Sequence, residues 1–542
     1  VTVDGATVGP RERRLALTAA ILASTIAAID SSAVNVALPA IRRSLGGGFA
    51  AQQWVADAYL LTLSALILLA GSLTDRLGER RIFTVGVAGF GIGSLICALS
   101  PTIDVLIAAR ALQGVAGALL TPSALAIIVA VFPKSQRGGA IGRWTAFSGI
   151  GVLAGPLLGG QLVDVASWRW IFAINPPLVV IALVLGRVAV PGRVTAAPPS
   201  TRIDWAGAAL AASALAGISF ALIEQPVLGW GDPGVWGALA AGIALFAAFV
   251  AHEARTRSPM LPLSLFASRN FSVANAQTFA MYSGIGLLGF FVTIYLQQVA
   301  GYSALKSGVT GLVPTVMMFA LSARMGRLAD RLGPRWFLTI GPLFVAAGFA
   351  LMLRYGTSVS LLGDVLPALL VFSFGLALTV APLTATVLGD ARDSEAGIAS
   401  AINNAIARTA GLISVAAVGA IVSAHYGTAL VRALDGRLPP ASAPALRTAA
   451  RHTFAMIDPR AIPAGDRGLA REAAAHASES AFHLAMGIGA GLLVAAGVGG
   501  GIGLRSRRTG GGGPLPDRTV AAGGCAGGQL SGAPAASVPQ AT

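Results

Sequence analysis

Residues 71–81 read GSLTDRLGERR, and a near copy, GRLADRLGPR, occupies residues 326–335. The offset of 255 positions carries Asp75 onto Asp330, Arg76 onto Arg331 and Gly78 onto Gly333. Each copy is a short charged turn between long apolar runs. A repeat returning after about half the chain predicts two like halves, each carrying the turn after its second helix. In such a turn the glycines let two helices pack closely, the acid sits near a helix N-terminus, and the arginines stay at an aqueous surface.

The rest of the 542 residues makes clear what kind of halves these are. Hydrophobic residues are 55% of the chain, charged residues 11%, and the mean hydropathy is +0.74. One water-soluble core cannot hide that much apolar surface, so the chain is predicted to sit in a bilayer. Its net charge of +15 comes from Lys and Arg in small groups between apolar runs. With no continuous basic face, a nucleic-acid partner is not expected. Only Cys97 and Cys525 are present, which excludes a disulfide framework and a thiolate metal centre. No cofactor and no metal are expected. The first apolar run looks like a signal peptide, but it continues past Asp30 to Pro39 and is read as a membrane span.

Crossing the hydrocarbon takes about 20 residues of helix. Segmenting by apolar length gives fourteen spans: 15–40, 52–73, 81–100, 103–128, 139–162, 168–187, 204–224, 235–252, 271–298, 306–323, 336–354, 361–387, 396–423 and 480–504. Arginine and lysine test that number, because short cytoplasmic loops are enriched in them. With the N-terminus inside, the cytoplasmic segments hold groups such as Arg11, Arg13 and Arg14, then Arg76, Arg80 and Arg81, then Arg324, Arg327, Arg331 and Arg335. The short outer loops hold only Arg42, Arg43, Arg169, Lys306 and Arg354. Both termini are therefore expected in the cytoplasm, across an inner (cytoplasmic) membrane. The expected organisation is a cytoplasmic N-terminus (1–14), a six-helix bundle (15–187), a linker with two extra spans (188–270) and a second six-helix bundle (271–504). The second bundle carries a long outer loop at 424–479. The Gly-, Pro- and Ala-rich tail, 505–542, lacks the apolar content to fold and is expected to be disordered.

Several stretches are similar to one family. They are AAIDSSAVNVALPAI at 27–41, QWVADAYLL at 53–61, ARALQGVAGALLTPSA at 109–124, GIGVLAGPLLGG at 149–160, WRWIFAINPP at 168–177 and GIASAINNAIARTAG at 397–411. With the two charged turns, they make the chain resemble the fourteen-span drug:proton antiporters of the major facilitator superfamily. Glu79 departs from the pattern, because a basic residue is common there, and Arg42 with Arg43 puts unusual positive charge on the outer side. The resemblance implies an all-α integral membrane fold of two six-helix bundles plus two inserted spans. It also implies that the repeated turn, with Gly71, Asp75, Arg76, Gly78, Arg80, Asp330 and Arg331, is a conformational latch between the halves.

An ionised group within hydrocarbon costs several kcal/mol unless it is paired, protonated or facing water. Asp30, Asp57 and Arg110 therefore need a reason to be where they are, and they are the candidates for proton coupling. Helix rise places Arg110 about 10 Å inside the outer boundary and Asp30 at a similar depth, so the two can meet. The bland alternative is a helix-fastening ion pair for Asp30 and Arg110 and an interfacial position for Asp57. Gly151, Gly155, Pro156, Gly159 and Gly160 clear one face of the fifth span and allow it to bend; the resemblance makes this run an antiporter signature associated with export. For the substrate pocket the candidates are Asn35, Glu224, Phe279, Tyr282 and Arg408, although an aromatic stripe is more often packing than pocket.

The leading expectation is proton-driven export of amphipathic or lipophilic drug-like compounds, often cationic, by alternating access. The expected partners are a small-molecule substrate, protons and the lipid bilayer, with the chain a monomer. Export of one natural product or lipid, uptake by symport, and Na⁺ as the coupling ion stay open, as does a membrane receptor or scaffold. The nucleotide-binding pattern GxxxxGK[ST] is absent, which argues against direct ATP coupling. No nucleophile and base pair is visible, so an enzyme is not expected.

Overall fold

The computed structural model describes residues 9–190, 203–256, 259–389, 396–439 and 463–504, with a few residues between and before them. It is helical apart from a two-residue strand pair, Thr2–Val3 with Ala6–Thr7. Fourteen helices among the described residues are long and apolar enough to cross a membrane: α1 (Pro10–Leu45), α2 (Phe49–Leu77), α3 (Glu79–Leu99), α4 (Ile103–Val131), α5 (Ser135–Val165), α6 (Arg169–Ala189), α7 (Trp205–Leu228), α8 (Pro233–Arg255), α9 (Arg269–Gln298), α10 (Ala304–Leu332), α11 (Pro334–Met352), α12 (Leu361–Gly389), α13 (Gly397–Leu434) and α14 (Arg467–Gly503).

The helix ends follow from local chemistry. Gly78 and Gly333 close α2 and α10 at φ +90° and +86°, a backbone region that L side chains adopt poorly. Their N–H groups bond back to the Thr74 and Ala329 carbonyls at 3.0 and 2.9 Å, so the two charged turns have the same cap. Asp204 and Asp232 accept from Gly207 N at 2.8 Å and Gly234 N at 2.7 Å, starting α7 and α8. Several helices run beyond the apolar limits predicted from hydropathy. A helix keeps its hydrogen bonds after it leaves hydrocarbon, so α1 begins at Pro10, where the Glu12 carboxylate accepts from Gly9 N. For the same reason α13 continues to Leu434 and α14 already begins at Arg467, which makes both ends of the 424–479 segment helical. The tail at 505–542 and the linker stretch 191–202 lie outside the described residues.

α1–α6 pack together, as do α9–α14, and α7 and α8 form a hairpin between them in sequence. α7 touches α2 of the first half and α13 of the second, so the inserted hairpin covers the seam where the halves meet. The Trp54 indole of α2 donates to Glu224 Oε1 of α7 at 2.7 Å beside that seam.

Hydrogen bonds between the halves gather at one end. Gln297 of α9 donates to the Val36 carbonyl of α1 at 3.0 Å, and Arg42 donates to Gln298 at 3.0 Å. Gln53 of α2 donates to the Val415 carbonyl of α13 at 2.8 Å. The Asp164 carboxylate, at the end of α5, accepts from Ala304 N at 3.1 Å and Leu305 N at 2.9 Å, so one half caps the first turn of a helix in the other. Phe49 meets Phe290 edge-on at 5.5 Å in the same layer. Toward the opposite end, where α1 starts and the charged turns lie, α5 and α10 still touch, the space above Gly149 lying 3.1 Å from the Phe319 ring. The hydrogen bonds that join the halves thus lie at the α1–α2 end, and none is found among the described residues at the end that carries the charged turns.

Candidate functional site

Asp30 lies midway along α1, and its side chain is 0% exposed. A buried carboxylate needs donors from neighbouring helices, and three supply them. Arg110 Nη1 of α4 donates to Oδ2 at 2.5 Å. Gln113 Nε2, one turn further along α4, donates to Oδ1 at 2.9 Å, and Asn175 Nδ2 of α6 donates to the same oxygen at 3.2 Å. The network extends beyond the pair. Arg110 also donates to Gln113 Oε1 at 2.6 Å and, through Nε, to the Val55 carbonyl of α2 at 3.2 Å. Ser94 Oγ of α3 accepts from Gln113 and Asn175 at 2.8 and 3.1 Å. The Arg110 guanidinium stacks over the Tyr59 ring at 4.5 Å from its centroid and lies 5.7 Å from that of Phe172. Four helices of the first half, with α3 joined through Ser94, therefore meet at one compensated charge pair.

The pair ties one charge balance to several helices at once. Adding one proton to Asp30 removes the charge that Arg110 neutralises and leaves a buried guanidinium, which must then find another acceptor or water. Because Arg110 also ties α4 to α2, loss of the pair is felt in how helices of the first half sit together.

The other predicted site residues fall in separate places. Asp57 is not interfacial: it is 1% exposed, its Oδ2 has no hydrogen-bond partner, and it forms no ion pair among the described residues. α2 begins at Phe49, eight residues earlier, which sets Asp57 two turns inside. By helical rotation it points between Gln53, which faces α13, and Trp54, which faces α7. Glu224 is engaged by Trp54 at the seam rather than by the first-half network. Asn35 faces the second half, where the space above Gly289 lies 3.6 Å from its Nδ2. Gly289 belongs to a π-helical turn, Leu288–Val292, within α9. Phe279 is exposed on the face of α9 that also carries Gly286, seven residues on. Arg408 of α13 lies within electrostatic range of Tyr282 and of Tyr59 from the opposite half.

In α5 the glycines serve two faces. A Cβ at Gly151 would come within 3.0 Å of Thr25 of α1, and one at Gly159 within 2.8 Å of Ala33. Gly155 likewise lies against Ser32 and the Ile29 carbonyl. On the other face, a Cβ at Gly160 would lie 2.6 Å from Leu305 Cα of α10, and Gly308 packs on the Pro156 carbonyl. Small residues here set how closely α5 approaches both α1 and the second half.

The latch residues grip nothing across the halves in this conformation. Asp75, Arg76, Asp330 and Arg331 are exposed, and neither acid forms an ion pair among the described residues. Gly71 has open space around it. Arg80 donates to the Arg187 carbonyl within its own half at 3.2 Å. Asn175, Ser94 and Gln113 are not among the site candidates that the sequence flags. Asn175 did stand inside one of the similar stretches, 168–177, but a neutral amide at a helix start carries no charge to flag it.

Two like helical bundles joined by a membrane hairpin, hydrogen-bonded to each other at one end and holding a buried charge pair at helix mid-depth, have the architecture of a polytopic transporter. The Major Facilitator Superfamily profile matches residues 20–415, and the chain belongs to that family. It is 36% identical over 406 residues to the tetracenomycin C resistance and export protein of Streptomyces glaucescens, covering 74% of each chain. It is 35% identical over 447 residues to a puromycin resistance protein of Streptomyces alboniger, covering 79% of this chain and 87% of that one. A methylenomycin A resistance protein of Bacillus subtilis is 32% identical over 411 residues, 73% of this chain and 85% of its own. In fold, the chain is similar to a bacterial homologue of the human lysosomal transporter Spinster in an inward-facing, unoccupied conformation. The TM-score is 0.62 at 16% identity, over 91% of this chain and 98% of that one. These proteins are transporters and resistance proteins, not enzymes.

Proposed function

We propose that the chain exports amphipathic or lipophilic drug-like compounds across the cytoplasmic membrane by exchange for protons, alternating its cleft between the two sides. Its relatives named for drug resistance and export support the direction of transport and the class of cargo. Because each of these three is named for a single antibiotic, export of one natural product is the narrower form of the same reading. The observation that carries proton coupling is the fully buried Asp30–Arg110 pair at helix mid-depth, which one proton would break. With both termini cytoplasmic, as the arginine distribution supports, the cleft opens to the cytoplasm and the sealed end faces outward. In this inward-facing state cargo enters from the charged-turn side. The turns then act as a latch only after the halves rock and the cytoplasmic ends close.

The test is uptake into everted vesicles or proteoliposomes driven by an imposed pH gradient, with wild type and Asp30→Asn compared at matched membrane levels. The amide keeps the shape and cannot exchange a proton, so gradient-driven transport should be lost while the protein stays folded. Full gradient-driven transport by Asp30→Asn would pass the coupling role to Asp57, and a sodium gradient replacing the proton gradient would reassign the ion.

A further inference from the structure

Asp30, Asp57, Arg110, Glu224 and Arg408 are the charged side chains singled out within the spans as site candidates. Four are either engaged by protein groups or closed off from a ligand. Asp30 and Arg110 neutralise each other, Glu224 accepts from Trp54 at the seam, and Asp57 is shut away at 1% exposure. Arg408 is different. It is part-exposed, and no carboxylate among the described residues lies within ion-pair distance of it. The groups its charge reaches are the phenols of Tyr59 and Tyr282, neither of which carries a compensating charge at neutral pH.

Its direction follows from the helix. Val415, seven residues on, is the residue of α13 whose carbonyl accepts from Gln53 of the first half, and residues seven apart share a face. Asn404, one turn back toward the charged-turn end, lies on that face and is exposed. One turn the other way, the space above Gly286 of α9 lies 3.0 Å from Gly411 Cα, so the helices close behind Arg408. The guanidinium therefore looks from the second half toward the first, on the face of α13 that carries the exposed Asn404. Opposite it, in the first half, Tyr59 carries Arg110 on its ring face at 4.5 Å, which sets this position one aromatic ring away from the Asp30 pair.

We infer that Arg408, flanked by Tyr282 and Asn404, is a subsite for an anionic group of the exported molecule: a carboxylate, or the ionised hydroxyl of an acidic phenol or enol. The subsite rests on the exporter reading and narrows it, because lipophilic cations then become the poorer cargo. A guanidinium presents donors in a planar fork that suits a two-oxygen anion, and the Tyr282 hydroxyl and Asn404 amide add neutral donors. An uncompensated cation at the wall of an apolar cleft repels a cationic ligand and is relieved by an anionic one.

Three pyrene probes that share one ring system and differ in charge test this: 1-pyrenebutyrate, its methyl ester and 1-pyrenemethylammonium. Binding to the purified full chain in nanodiscs is read from pyrene fluorescence at neutral pH. Wild type should bind the butyrate at least about tenfold tighter than the ester or the ammonium, the size of one charge-assisted contact. Arg408→Gln should lose that factor for the butyrate alone, and Arg408→Lys should keep part of it. Equal binding of all three probes by wild type would overturn the subsite, as would an Arg408→Gln variant that weakens all three alike. If Arg408→Gln does not fold, the wild-type preference and Arg408→Lys still decide. Flux of the same probes in proteoliposomes separates the two readings: export without anion preference removes the subsite and keeps the exporter, whereas selective anion binding with no gradient-driven flux of it does the reverse.

Discussion

Arg110 makes its strongest contribution by being compensated. Remove its partner and a guanidinium is left in a site with 1% exposure. Remove the arginine and the carboxylate keeps only two neutral donors, Gln113 and Asn175. Breaking a buried pair from one side costs roughly 3–5 kcal/mol, whereas replacing both partners together is close to neutral. Arg110→Ala should therefore unfold well below wild type in detergent, and Asp30→Asn/Arg110→Gln should recover most of the loss. Thermal unfolding followed by thiol-reactive dye checks this, and a double variant as unstable as Arg110→Ala would show that charge compensation is not the cause. Gln113→Leu should leave the ion pair in place but remove the amide that orients both partners. We expect slower gradient-driven turnover with substrate affinity within about twofold of wild type, read from initial rates against cargo concentration. The charged members of this site were legible in the sequence because a charge inside an apolar run is costly. Ser94 and Asn175 were not, since a neutral polar side chain costs less to bury and one sequence does not say which neighbour it will meet.

Helices α5 and α10 show how small residues become a device. Asp164 caps the first turn of α10, while Gly160 and Gly308 let the two helices touch at the sealed end. Gly160→Leu forces a side chain toward Leu305 Cα, which an ideal Cβ would already approach to 2.6 Å. Rather than unfolding the bundle, this should weight the protein toward opening at the outer end. In a background with Cys97 and Cys525 replaced, Ala304→Cys is buried at 3% exposure and should label slowly with a membrane-impermeant maleimide added outside. The same cysteine in a Gly160→Leu chain should label several-fold faster, and an unchanged rate would mean that α5 and α10 do not form the seal. At the charged turns, Gly78→Ala should cost about 1 kcal/mol, because its φ of +90° is unfavourable for alanine. The glycine run was plain in the sequence; that one edge serves α1 and the other α10 was not, because small-residue spacing names a face without naming its occupant.

Across the whole molecule, the proposed orientation makes an accessibility pattern. Asn404→Cys, exposed toward the charged-turn end, should react with impermeant reagent from the cytoplasmic side in everted vesicles and be protected in intact cells. Ala450 and Arg508 should label from opposite faces, since one span, α14, separates them. Labelling of both from one side would dismantle the fourteen-span topology. The number of spans, the division into two halves and the insertion of two helices between them could all be read from the sequence. Bilayer thickness sets the length of an apolar run, and the repeated turn marks the halves without any knowledge of contacts. The partners of the polar groups, the end at which the halves close, and the position of α7 over the seam between α2 and α13 were decided only by the tertiary structure. These depend on how each helix is rotated and on which of several similar apolar faces it meets, and helices of nearly uniform Ala, Leu, Val and Gly composition carry little of that information in their own sequence. Arg408 shows the difference most directly: the sequence places a charge in a membrane helix, and the packing around it brings no acid to that charge among the described residues.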